Sequence, residues 1–295
     1  MNKLFLFLLA GLICLPGSSQ SRALNKALSQ SPKAYALYSA DGTPIPWSEA
    51  VERSMMSDVV LFGELHDDGI MHWLQCELIR DLVAEGAAPL LGAEMFESDD
   101  QLVVNEYLDG IINEDKLEAA ANLWPNHHTD YQPILDLAKE HDLDFIATNV
   151  PRRYASYVYR NGLDVLSELS QEALAFLPPL PVAFDPSLPG YQAMLEMGGG
   201  HGGETLLMAQ AIKDATMAHF IASSLRETGP FVHFNGAYHS QNREGIVWYL
   251  KQSNPELQVL TIHGTTQADV SVPDTSVLGI GDILLITNER ITRTH

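Results

Sequence analysis

The stretch Val59-Val60-Leu61-Phe62-Gly63-Glu64-Leu65-His66-Asp67 decides how the chain folds. Four consecutive apolar residues, mostly β formers and with no polar alternation, describe a strand covered on both faces, which is the habit of parallel sheets. Glycine ends the run, and an acid and an imidazole follow at once. Residues 70–85 come next, with Met71, Leu74, Leu78 and Leu82 on one stripe, and predict a helix.

Outward from this unit the same alternation recurs. Leu90-Leu91-Gly92-Ala93 runs to Glu94 and is followed by helical stretches at 99–108, 114–123 and 131–141. Phe145-Ile146-Ala147-Thr148 runs to Asn149, with a helix at 151–161, where a proline in the first turn forfeits no hydrogen bond. Phe231-Val232-His233-Phe234 runs to Asn235, with a helix at 243–252 and closing strands at 259–262 and 283–286. Between the third and fourth runs lie a proline-punctuated connection, the glycine run Gly198-Gly199-Gly200-His201-Gly202-Gly203 and a long helix at 204–227, apolar on most sides. Strands alternating with helices predict an α/β fold, with a mainly parallel central sheet flanked by helices. The reading is one domain over 47–290 with a helical insertion and a glycine-rich loop, preceded by an arm or short edge hairpin at 22–46.

Charge narrows the partners. The 295 residues carry 17 Lys+Arg against 38 Asp+Glu, a net −21, which argues against nucleic acid and against anionic lipid. Hydrophobic residues at 46% and charged residues at 19% describe a globular chain rather than a disordered one. Residues 1–21 read as an export signal: Lys3, an apolar run over 4–15, the breaker Pro16-Gly17, and Ser19 or Ser21 at the cleavage site. That run is short of the roughly 20 apolar residues a membrane span needs. Cys14 and Cys76 are the two cysteines. Cys14 suits a lipid anchor, although Ile13 stands where a small residue is wanted, so the expectation is an exported protein, soluble or anchored through Cys14, with membrane contact only if anchored. Cys76 falls in a helical pattern and reads as a small buried hydrophobe.

The chemistry collects at the ends of strands. Glu64 and His66 follow the first run, Glu94 the second, Asn149 and Arg152 the third, Asn235 and His239 the fourth. In an open parallel sheet this is the edge where ligands bind. Glu64 and His66, two apart on extended chain, can face one cavity as a proton-transfer couple, or as ligands to a divalent metal together with His239; the plain alternative is a solvated loop. Glu94 in an apolar setting needs a partner, for which Arg152 or a backbone amide would serve. Asp214 on the apolar long helix reads as a helix-to-loop bond before it reads as a ligand. His127-His128, Tyr131, Tyr191 and His201 are softer candidates, surface residues on the plain reading. The chain has no GxGxxG after a strand, no GxxxxGK[ST], no GxSxG and no HExxH, so nucleotide, serine-hydrolase and zinc-helix readings have nothing specific behind them.

Five segments carry a resemblance. Gly63-Glu64-Leu65-His66-Asp67 with His72 and Gln75, Gly92-Ala93-Glu94-Met95-Phe96, Ala147-Thr148-Asn149-Val150-Pro151-Arg152, residues 210–218, and Gly236-Ala237-Tyr238-His239 stand in the order of the ChaN-type haem-binding uptake proteins of the Tiki superfamily. The resemblance implies an exported, periplasmic bacterial protein, often a lipoprotein, that binds haem in iron acquisition, with a homodimer as one arrangement. In the superfamily's enzymatic members the Glu-x-His and Gly-x-x-His positions, here Glu64, His66 and His239, serve metal binding or hydrolysis. Haem asks for an apolar slot, a His or Tyr ligand and cations for its propionates. Tyr238, Tyr191, His201 and the pair His127-His128 are the ligand candidates, and Arg152 or Arg153 the propionate partner. Two readings follow: a haem-binding protein, or a metal-assisted hydrolase using Glu64, His66, Glu94 and His239. A third is a polar cluster kept only for fold stability.

Overall fold

Val59–Glu64 lies in the interior of a seven-stranded sheet. The computed structural model describes residues 31–197 and 202–295, and the architecture below is that of the unit Ala34–His295. In chain order the strands and α-helices are β1 (Tyr35–Ser39), α1 (Trp47–Met55), β2 (Val59–Glu64), α2 (Gly69–Ala84), β3 (Leu90–Glu97), α3 (Gln101–Leu108), α4 (Glu114–Ala120), α5 (Gln132–Glu140), β4 (Phe145–Asn149), α6 (Arg152–Asn161), α7 (Gln171–Leu174), α8 (Pro189–Met197), α9 (Gly203–Ser224), β5 (Phe231–Gly236), α10 (Ile246–Ser253), β6 (Val259–Gln267) and β7 (Ile283–Asn288). The sheet order is β1-β7-β6-β2-β5-β3-β4, parallel throughout except for β1 against β7. The α/β class and the parallel sheet are as the strand-and-helix alternation predicts. Residues 1–30 and 198–201 fall outside the described residues, and with them the stretch 1–21 expected to be an export signal, Cys14 and His201. No described helix is long and apolar enough to cross a membrane.

Several boundaries differ from the sequence pattern, and three of the differences have a plain structural cause. Residues 35–39, from the stretch read as an arm or hairpin, form an edge strand on β7. The helix expected from 131 starts at Gln132, because His127–Tyr131 make a π-helical turn that presents Tyr131 and Asp130 inward. β6 runs on to Gln267, since β7 pairs with it as far as Asn288.

Side-chain alternation sorts the core into two layers. Val60 and Phe62 of β2 pack with α2 and α5 residues such as Leu78 and Leu135. Val59 and Leu61 face the other way, onto Met217 and Ile221 of α9 and Leu250 of α10. Continuing the alternation by two residues puts Glu64 on the α2 side. On β3, Leu90 belongs to the α9 layer while Leu91 and Ala93 belong to the α2 layer, so Glu94 points to the α9 side. The two acids therefore approach the same sheet edge from opposite faces. Cys76 of α2 is a free, buried thiol within the first layer, and burial pushes it up to about 11.

Candidate functional site

The strand ends open into one cleft of about 1750 Å³. It extends over β6, β2, β5, β3 and β4, four strand spacings or roughly 19 Å at about 4.8 Å each. Glu64, His66, Glu94 and His239 all line it. So do Asn149, Arg152 and Tyr238.

On the α2 side the carboxylate of Glu64 is buried and saturated with donors. Its Oε1 faces His66 Nδ1 at 2.8 Å and accepts the Tyr131 hydroxyl at 2.9 Å. Its Oε2 accepts the Gln75 amide, with His72 Nδ1 3.5 Å away. These partners converge because Asp68 caps α2, accepting from the Ile70 and Met71 amides, and so fixes the first turns that carry His72 and Gln75. Burial works against a charge on His66, but the Glu64 hydrogen bond and the Glu94 and Glu64 charges outweigh it and raise its pKa above the ordinary value. With Nδ1 on Glu64, Nε2 is left toward the cleft, and the ring stands edge-on to Trp124, centroids 4.8 Å apart.

On the α9 side His239 is held between two acids, with Nε2 3.0 Å from Glu94 Oε1 and Nδ1 2.5 Å from Asp214 Oδ1. Glu94 Oε2 accepts the Gly236 amide at 2.8 Å, and Asp214 Oδ2 accepts the Tyr191 hydroxyl at 3.0 Å. Burial opposes a charged imidazole, yet the Glu94 and Asp214 carboxylates push His239 up to about 10. Burial likewise opposes ionised Glu94, but the His239 cation holds it well below the usual carboxylate range. For Asp214 burial outweighs the His239 charge and hydrogen bonds, and its pKa is raised.

Two glycines make this approach possible. A Cβ on Gly236 would stand 2.7 Å from His66 Nε2, so only glycine lets the end of β5 pass between the two clusters. Gly245, at φ +55°, turns the chain against His239, where a Cβ would meet its carbonyl oxygen at 2.3 Å.

The remaining expected residues separate cleanly. Glu94 takes a backbone amide and His239 rather than Arg152. Asp214 makes the helix-to-loop bond the sequence favours. Asn235 lies beneath the cleft, bonded to Ser240 and facing His233. Asn149 Nδ2 donates to the Glu94 carbonyl at 2.8 Å, and its Oδ1 is buried without a partner. Tyr191 is buried on Asp214, and His127 is buried against Gln132 at 2.8 Å, so neither offers itself to the cleft. Exposed His128 pairs with half-buried Glu114 outside the cleft. Tyr238, 46% exposed, is the described haem-ligand candidate that lines it. As metal ligands, Glu64, His66 and His239 are not brought within mutual reach, because both His239 nitrogens are taken by acids on the far side of Gly236. Among the described residues, Glu114, Glu118 and His128, outside the cleft, are the acids and imidazole whose ligand atoms all lie within 4.8 Å of one another.

Of the cations around the cleft, the sequence singles out Arg152 and Arg153 but not Arg160 or Lys213. Arg153 is committed to Asp99 at 2.5 Å. Arg152 and Arg160 of α6 and Lys213 of α9 line the cleft, and among the described residues their side chains have no ion pair or hydrogen bond. Arg152, Ser156 and Arg160 recur every four residues on one helix face, the spacing that could have flagged them.

The family model for "Haem-binding uptake, Tiki superfamily, ChaN" matches residues 50–250. The chain belongs to this family. Among solved structures it is similar to ChaN of Campylobacter jejuni, described for cofacial haem binding, at 17% identity and TM-score 0.66 over 88% of this chain and 98% of that one. A Bacillus cereus protein matches at 13% identity and TM-score 0.50, over 91% of this chain and 97% of its own. Both likenesses are of fold. Protein RETICULATA-RELATED 5, chloroplastic, of Arabidopsis thaliana is 24% identical over 210 residues, 64% of this chain, and the chain spans 28% of that relative's length.

Proposed function

We propose that this chain binds haem in the cleft above its sheet, as an exported protein of haem or iron acquisition. The family match supports the ligand class. The observation that carries the assignment to this cleft is the gathering of uncommitted Arg152, Arg160 and Lys213 around it, in a chain of net charge −21. Unpaired cations in so acidic a protein suit a ligand bearing carboxylates. Aromatic and apolar walls from Trp124, Tyr159, Met194 and Leu206 suit a flat hydrophobic body, and the volume exceeds the ~300–1,000 Å³ of ordinary ligand pockets. Tyr238 would hold the iron, and the three cations the propionates. When bound, haem supplies an iron centre whose properties follow from its axial ligand and the surrounding hydrogen bonds. A homodimer sharing the ligand agrees with the exposure of Tyr238 and Tyr159.

Titration of purified protein with hemin tests the reading. A saturable Soret shift, lost or moved in Tyr238→Phe and weakened in Arg152→Ala/Lys213→Ala, is the expected result. Absence of saturable binding by the wild-type chain overturns it.

One observation favours a second reading. Glu64 orients His66 so that Nε2 faces the cleft, the arrangement of a general base. Hydrolysis of a model ester that His66→Ala abolishes, with hemin binding intact, would place an activity beside the binding role.

A further inference from the structure

We propose that Arg293 and Thr294 are positioning residues for the Glu64–His66 couple: the segment that follows β7 straps the start of α2 to the π-helical turn, the two elements that hold Glu64. The inference rests on the binding reading only in treating this cleft as a ligand site.

The strap is tied at four points. The Thr294 amide donates to the Asp67 carbonyl at 3.0 Å, and its methyl closes on Gly69, where a Cβ would meet it at 3.2 Å. Thr294 Oγ1 donates to Asp130 Oδ2 at 2.7 Å. Arg293 reaches Asp67 at 3.2 Å and Asp68 at 3.3 Å. Asp68 and Asp130 are 1% and 2% exposed, and a carboxylate so deep needs its partners.

Each aspartate stands one or two bonds from the couple. Asp68 caps α2, and α2 carries Gln75, which donates to Glu64. Asp130 accepts the Asn126 amide at 2.7 Å, and that amide also donates to the His66 carbonyl at 3.1 Å. Tyr131, the residue after Asp130, donates to Glu64. Both routes end on Glu64 or His66, and neither Arg293 nor Thr294 touches the couple itself. With the strap removed, Asp68 keeps Thr287 at 2.6 Å and Asp130 keeps Asn126 at 2.7 Å, but each loses its tie to the segment after β7, and the 2.8 Å contact between Glu64 and His66 lengthens.

Position and charge make opposite predictions, which gives the test its force. The groups facing His66 are Glu64 on β2, Glu94 on β3, His239 after β5, and Tyr131 and Trp124 before α5. None belongs to the strap. Deleting the Arg293 cation would by charge alone make His66 bind its proton more tightly, since a nearby positive charge disfavours the imidazolium. Loosening Glu64 makes it bind the proton less tightly.

The experiment is an NMR titration of the histidine ring signals in the full-length chain, with His66 assigned by its loss in His66→Gln. In the wild type the His66 midpoint lies above the ordinary value of about 6.5. In Thr294→Val and in Arg293→Gln/Thr294→Val it falls by roughly half a unit or more, while Thr294→Ser keeps the wild-type midpoint. Should the double variant fail to fold, Thr294→Val alone decides, because it keeps shape and charge and removes one hydroxyl. A lower melting temperature with an unmoved His66 midpoint, or an upward shift in Arg293→Gln, overturns the proposal. Neither result bears on hemin binding, so the two readings fail separately.

Discussion

Glu94 Oε1 and His239 Nε2 meet at 3.0 Å across 145 residues of chain, and the other ring nitrogen is 2.5 Å from Asp214. An imidazole flanked by two buried acids is the positive charge that lets both acids lie in the interior. His239→Gln keeps a polar side chain but removes that charge, leaving Glu94 and Asp214 facing each other uncompensated. The expected loss is about 3–5 kcal/mol of unfolding free energy, the usual cost of breaking a buried charge pair from one side. Urea denaturation at pH 7 measures it, and a loss below about 1 kcal/mol would mean the acids are not both charged.

The same triad sets a pH dependence. The pKa of His239 is raised to about 10 in the folded chain, against about 6.5 when unfolded. A raised value contributes stability that is fully present below the unfolded pKa and is lost as pH climbs through the folded one. Unfolding free energy should therefore decline between pH 6.5 and 10, and this slope should be absent in His239→Gln. Glu94, held low, acts in the opposite window: its contribution is present at neutral pH and fades as acid protonates it. Chemical denaturation at several pH values reads both limbs.

Much of this was legible in the chain, and the remainder was hidden for a physical reason. The apolar runs at 59–62, 90–93, 145–148 and 231–234 each end on a polar residue, and parallel topology does the rest by carrying those ends to one edge. What linear order conceals is which face each acid takes and which cation it meets. Glu94 was as open to Arg152 as to an amide, because strand alternation cannot say that the turn after β5 would deliver Gly236 and His239 to it. His127 and His128 looked alike beside Trp124-Pro125; the π-helical turn buries the first and exposes the second. The strap residues lie 164 and 225 positions from the aspartates they hold, beyond any local pattern.

Gly236 should not tolerate a side chain. Its β region backbone is open to any residue, so the constraint is space and not conformation. A methyl there would sit 2.7 Å from His66 Nε2 and 3.4 Å from Glu94 Oε2. Gly236→Ala must push the His66 ring outward, costing about 1–3 kcal/mol as overpacking does. The Glu64 hydrogen bond would stretch, so the His66 titration should move down toward its ordinary value while the Glu94–His239 pair stays. Ring-signal NMR separates the two, and an unmoved His66 would refute the close approach.

The cations of the cleft predict an ionic-strength effect that discriminates among neighbours. Arg152, Arg160 and Lys213 are uncommitted, whereas Arg153, one residue from Arg152, spends its charge on Asp99 and stacks on Tyr154. If the three steer and hold the ligand's carboxylates, hemin affinity should fall as salt rises, because screening reaches about 10 Å at 0.1 M and shortens beyond it. Arg152→Ala, Arg160→Ala and Lys213→Ala should each weaken binding a few-fold and flatten the salt dependence. Arg153→Ala should leave the salt dependence as it is, since the charge it removes was already neutralised. Comparing hemin affinities of the four variants at low and high salt checks this, and an equal effect from Arg153→Ala would show that general charge, rather than these three side chains, attracts the ligand.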